Sequence, residues 1–220
     1  MNQNSHIPMN APLKTNDINL YDVLKNSYKH KSDAFNKQGY QYDKDLSSQN
    51  QQVYYNPNNK KMLVSVAGTH NLRDWGTDAW LDFGGLKNTN RYNEAKNVLQ
   101  RAKEKYKPAE TSVSGHSLGG SIAQGIASKD DKVYALDSGY TIGQKTRSHG
   151  GNFQHFRTAG DAVSLLSEGA KNMKTLQNPN KNMAFIPLDA YKAHDIKNIS
   201  KSNIYIYIYI YIYNYNEHRI

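Results

Sequence analysis

The chain of 220 residues contains no cysteine. That absence excludes disulfide frameworks and thiolate metal sites and leaves the redox compartment open. Long apolar runs are missing too, since no stretch approaches the roughly 18 consecutive apolar residues of a membrane-spanning helix. The first residues, Met1-Asn2-Gln3-Asn4-Ser5-His6, lack a basic segment followed by an apolar one, so no secretory signal is expected. A cytoplasmic or peripheral-membrane location follows as the expectation. Hydrophobic residues make up 37% of the chain and its mean hydropathy is −0.84, which points to a lean core. Acidic residues are the scarcer charge, 19 against 28 basic, for a net charge of +9. Such a balance favours anionic partners. The basic residues are spread out, however, with no dense block to track a phosphate backbone. Nucleic acid is therefore not expected, whereas peripheral contact with an anionic membrane is.

Turn residues and periodicity divide the rest. Residues 1–17 are polar and are expected to form a flexible tail, followed by one domain over 18–200 and a low-complexity tail over 201–220. Leu20, Val23, Leu24, Tyr28 and Phe35 predict an amphipathic helix from Leu20 to about Lys37. Gln51–Tyr55 and Lys61–Val66 read as strands joined by Asn56-Pro57-Asn58-Asn59, a hairpin. Arg91–Tyr106 is a helix with Ala95, Val98, Leu99 and Ala102 on one face, ended by Pro108. Lys132–Asp137 and Asn152–Arg157 are short strands. Gly169–Asn182 is polar, and Met183–Leu188 is the last apolar strand candidate. Alternating helices and strands predict an α/β fold: a mostly parallel sheet flanked by helices, entered through an N-terminal antiparallel hairpin. The tail Ile204–Tyr213 alternates Ile and Tyr strictly, the product expected of a dinucleotide repeat in an AT-rich genome.

The chemistry gathers around Thr111-Ser112-Val113-Ser114-Gly115-His116-Ser117-Leu118-Gly119-Gly120. A β-prone run enters G-x-S-x-G and a small-residue helical run leaves it, the order a nucleophile elbow needs. Ser117 stands at the apex, and Gly115 and Gly119 keep Cβ atoms out of the strand–helix crossing. By chance alone about one chain in fourteen of this length carries G-x-S-x-G. The strand-to-helix context and the hexad Gly115–Gly120 make the match sharper.

A serine nucleophile needs a base, and the base needs an orienting acid. In α/β-hydrolases these follow in the order Ser, Asp or Glu, His, on loops after later strands. Asp161 fits the acid, following a strand through Thr158-Ala159-Gly160; it also suits a helix N-cap. Asp137, at the end of the preceding strand, is its rival. His194 is the one histidine between Asp161 and the repeat tail, and so the candidate base. Oxyanion donors are expected from the N–H of Leu118, after the nucleophile, and of Thr69, after an early strand. Gly68 before Thr69 lets the backbone approach. This chemistry calls for no metal and no organic cofactor.

With Ala67-Gly68-Thr69, Asp74-Trp75, Asp78, the Gly115–Gly120 hexad and the ordered Asp161 and His194, residues 50–200 resemble class 3 (fungal-type) lipases of the α/β-hydrolase superfamily. The resemblance implies Ser117 as nucleophile, Thr69 and Leu118 as oxyanion donors, Asp161 as acid and His194 as base. It also implies that Leu72–Leu86, with Trp75, Trp80, Leu81 and Phe83, occupies the place of the lid; both tryptophans equally suit core anchors. The arginine common ahead of Gly-Thr in that family is Ala67 here. The expected activity is serine ester hydrolysis on a lipid ester or phospholipid, and compact relatives in large DNA viruses and protists suit the AT-rich composition. The alternative is a catalytically idle lipase-like domain used for membrane or partner binding, such as a virion component.

Overall fold

The computed structural model describes residues 14–15, 18–69, 85–139, 152–158, 161, 163–164 and 173–176. Two short strands, β1 (Lys14–Thr15) and β2 (Ile18–Asn19), pair antiparallel within and just after the segment expected as an N-terminal tail. Helix α1 (Leu20–Lys29) follows, capped by the Asn19 side chain, which accepts from the Tyr21 N–H at 2.9 Å. The predicted continuation to Lys37 does not form. His30 takes a left-handed conformation, φ 53°, and the Asn26 side chain folds back onto both the N–H and the carbonyl of Lys31. Those bonds turn the chain out of the helix, and Asn36–Gln38 form only a 3₁₀ turn.

Strand β3 (Gln41–Tyr42) leads to the expected hairpin of β4 (Gln51–Asn56) and β5 (Lys61–Val66), closed by a turn in which Asn56 Oδ1 accepts from the Asn58 N–H. Helix α2 (Asn90–Tyr106) starts at Thr89, whose Oγ1 accepts from the Tyr92 N–H, and ends at left-handed Lys107 before Pro108. Then come β6 (Glu110–His116), α3 (Leu118–Ile126), β7 (Lys132–Leu136), β8 (Phe153–Thr158) and β9 (Met173–Leu176). The last of these falls inside the polar stretch where no strand was expected, and pairs parallel with β8. The candidate strand Met183–Leu188 and the tail at 201–220 lie outside the described residues.

Among the described residues the main sheet has seven strands in the order β3-β4-β5-β6-β7-β8-β9, antiparallel through β5 and parallel beyond. Parallel neighbours require crossovers, and crossovers are right-handed almost without exception. Strands added always in one direction therefore put α2 and α3 on the same face, where they pack on each other. Between them and the sheet lie Val53, Met62, Val64, Val113, Val133 and Ala135 against Val98, Leu99, Ala102 and Ala123. The opposite face belongs to α1: Leu20, Tyr21 and Leu24 meet Tyr134, Leu136 and Phe156. Val133 and Ala135 face one way and Tyr134 and Leu136 the other, the period-2 alternation of a strand buried on both sides. Among the described residues no helix is long and apolar enough to cross a membrane.

Candidate active site

β6 brings the chain to its carboxyl end at His116, and the next residue makes the turn. Ser117 sits at φ 57°, ψ −129°, a conformation that costs an L-residue of order 1–3 kcal/mol and persists only when its surroundings enforce it. Here they do. Its N–H donates to the Leu136 carbonyl at 3.0 Å, and its own carbonyl accepts from the N–H groups of Gly120 and Ser121 at 3.0 and 3.2 Å.

The crossing of β6 and α3 is too tight for side chains. A Cβ on Gly115 would strike the Gly119 carbonyl and stand 2.6 Å from the Gly120 nitrogen; one on Gly119 would strike the Val66 carbonyl and stand 2.6 Å from that of Ala67. On Gly120 it would lie 2.7 Å from Ser138 Cβ. The Ser117 hydroxyl is buried and has no hydrogen-bond partner among the described residues. Leu118 opens α3, whose positive end faces this turn.

The segment after β5 lies directly against Ser117. A Cβ on Gly68 would stand 3.2 Å from Ser117 Cβ and 2.8 Å from the His116 carbonyl. Half-buried Thr69 follows it. Two side chains that sequence reasoning missed hold this segment. The Gly68 N–H donates to Tyr28 Oη at 3.1 Å, and that hydroxyl also pairs with His116 Nδ1 at 2.8 Å. Arg91 Nη2, from the first turn of α2, donates to the carbonyls of Ala67 at 2.7 Å and Gly68 at 3.3 Å. No local motif marks Tyr28 or Arg91; only the fold brings them to the loop.

Both candidate acids are fully buried, and both lie against Thr158. Asp137 accepts from the Thr158 N–H and, at 2.8 Å, from its hydroxyl. The Asp161 N–H donates to the Thr158 carbonyl at 3.1 Å, while its Oδ1 accepts from the Ser164 N–H at 2.6 Å, the capping bond anticipated for it. Burial, and after it the charge of Asp161, holds the Asp137 carboxyl well above the usual carboxylate range. Behind them His155 Nε2 pairs with Ser138 Oγ at 3.1 Å, and Ser138 Oγ accepts from Gln124 Nε2 at 2.8 Å. Burial, with Arg157 adding to it, pushes the His155 imidazole down to about 3, so it is neutral at ordinary pH.

The fold thus gathers Ser117, Leu118 and the Gly68–Thr69 segment, and places Asp137 and Asp161 on one threonine. His194, Trp75, Trp80, Leu81 and Phe83 lie outside the described residues. Among those described, no group of three or more His, Asp or Glu side chains is arranged to hold a metal ion.

The model of the class 3 lipase family matches residues 63–129, from β5 past the end of α3. A triacylglycerol lipase, described as having a serine protease triad for its catalytic centre, superposes with a TM-score of 0.50 at 16% identity, over 69% of this chain and 73% of its own. The fold is that of a class 3 lipase-like α/β-hydrolase. The Lip2 lipase of Yarrowia lipolytica is similar over 72% of this chain and 76% of its own, at 17% identity and a TM-score of 0.49. The Rhizomucor miehei lipase, in complex with its propeptide, is similar over 69% and 62%, at 16% and 0.47. No curated protein sequence matches the chain. The matched region of this lipase-like chain contains the Ala67–Thr69 segment, Arg91 and the whole Ser117 turn, while Asp137, Asp161 and His194 lie beyond it.

Proposed function

We propose that this lipase-like protein is a serine carboxylic-ester hydrolase acting on lipid or phospholipid esters through an acyl-enzyme. The family match and the fold support lipase-type ester hydrolysis. One observation carries the finer reading: a buried serine hydroxyl without a partner among the described residues, on a strained strand-to-helix turn, faced by a glycine-bearing loop. Ser117 Oγ attacks the ester carbonyl carbon while His194 takes its proton. Asp161 acts through His194, as the residue that positions it. The oxyanion accepts from the N–H groups of Leu118 and Thr69, each such donor contributing about 2.7–4 kcal/mol to transition-state stabilisation. Collapse breaks the bond to the alkoxy oxygen, which leaves as the alcohol with the proton from His194. Water, deprotonated by His194, then attacks the acyl carbon and releases the carboxylic acid and free Ser117.

The net charge of +9 supports peripheral contact with anionic lipid surfaces. Nothing at the turn favours an idle domain, for which strain at Ser117 serves no purpose. The deciding experiment is labelling with a fluorophosphonate, read by intact mass and peptide mapping in the presence of liposomes. One adduct on Ser117, absent from Ser117→Ala, is the expected result. No adduct on folded wild-type protein overturns the hydrolase reading.

A further inference from the structure

The Ala67–Thr69 segment is held by its peptide groups, and the grip comes from two helices on opposite faces of the sheet. In a trans peptide the carbonyl and the following N–H point in opposite directions. The Ala67–Gly68 peptide is fixed at both ends: its carbonyl accepts from Arg91 Nη2 at 2.7 Å, and its N–H donates to Tyr28 Oη at 3.1 Å. The next peptide, Gly68–Thr69, has its carbonyl on the same Nη2 at 3.3 Å. Its N–H, that of Thr69, is thereby turned away from Arg91. Gly68 can rotate this plane at little steric cost, because glycine populates both halves of φ space. A rotated plane would present a carbonyl oxygen where an oxyanion forms.

The placement of Arg91 supports a dedicated role. It occupies the first turn of α2, a turn without any acidic residue, where a cation opposes the helix dipole. A residue that breaks a local rule at such a place signals a gain elsewhere. The gain visible here is the pair of carbonyls it holds.

We infer that Arg91 is a positioning residue for the reaction. It locks the Gly68–Thr69 peptide with the carbonyl outward, so that the Thr69 N–H is the group left to meet the oxyanion. This rests on the ester-hydrolase reading and supplies, from another helix, a guanidinium on the loop whose own position 67 carries only Ala67. Lysine is a poor substitute, because a compact ammonium does not reproduce a planar donor fork.

The test compares wild type, Arg91→Gln and Arg91→Lys, with a soluble p-nitrophenyl butyrate assay and the rate of Ser117 phosphonylation, melting temperatures being recorded for each. Wild type comes first: if it does not label, the hydrolase reading fails and this inference falls with it. Given labelling, Arg91→Gln is expected to lower kcat by about 10²-fold, within the range seen on losing an oxyanion donor. KM should change little, because the ground-state ester makes no such demand. Arg91→Lys should recover part of the loss. A folded Arg91→Gln with wild-type kcat and labelling rate overturns the inference and leaves the hydrolase reading standing. Should Arg91→Gln fail to fold, Arg91→Lys decides: lowered kcat at unchanged KM supports the inference, and wild-type kcat overturns it.

Discussion

Asp137 and Asp161 are both fully buried beside Thr158, the first through its carboxyl and the second through its backbone N–H, and burial, with the charge of Asp161, pushes the Asp137 carboxyl toward its neutral form. A carboxyl pushed toward its neutral form is the poorer partner for an imidazolium, so Asp161 stays the proposed acid. Asp161→Asn should lower kcat by about 10⁴-fold, the scale of loss when the base is held in the wrong tautomer. Asp137→Asn, which keeps an oxygen for the Thr158 N–H, should stay within about threefold of wild type. Steady-state kinetics on both variants checks the pair, and the reverse ranking would make Asp137 the acid. At this scale the serine was legible, because its constraint is local: a glycine on each side and a strand before it. For the acid, residue order favours Asp161, with Asp137 as its rival. Both aspartates follow β-prone runs, and the fold brings both to one threonine, a meeting that no spacing encodes. Arg91 was hidden for the same reason, since a surface-looking arginine in a polar helix turn carries no mark of the carbonyls it reaches.

Between elements, α3 crosses the ends of β5 and β6 with no room for a side chain. A methyl group on Gly119 would meet backbone oxygens of Val66 and Ala67, which have nowhere to move without parting helix from sheet. Gly119→Ala should destabilise by about 3 kcal/mol, the upper range for overpacking. Gly85→Ala, where a Cβ meets nothing within 4 Å, should stay within about 0.5 kcal/mol. Thermal and urea unfolding of the two variants tests the contrast. The hairpin, α2 and the β6–α3 pair were legible because each carries its own period and its own stop. α1 fell short of its predicted length because Asn26 and His30 end it with bonds that hydrophobic spacing does not report. β9 carries no apolar period of its own, and β8 provides the partner that makes a strand of a polar segment.

For the molecule as a whole, two buried groups tilt stability with pH in opposite senses. From its unfolded value of 3.8 upward, the Asp137 carboxyl keeps a proton that the unfolded chain has released, so stability falls as pH rises. His155 does the reverse. The unfolded chain takes up a proton below 6.5 whereas the folded one waits until about 3, so stability falls as pH drops through that window. Where both groups titrate, above the unfolded value of Asp137 and below that of His155, the two slopes oppose each other. Melting temperatures should therefore rise from pH 4 to 6.5 more steeply in Asp137→Asn than in wild type. In His155→Gln they should fall over the same range. Parallel profiles for all three proteins would refute this account of the buried network.

Spatial order in the sheet follows chain order from β3 to β9 without a single exchange. On the ribosome, each strand thus emerges next to the edge its predecessor has just formed, and no gap has to be held open for a later arrival. The Ser117 turn is an exception in timing: its N–H waits for the Leu136 carbonyl, at the far end of the following strand. A nascent chain gains its strained serine only once β7 has left the exit tunnel, and until then the turn is free to stay relaxed.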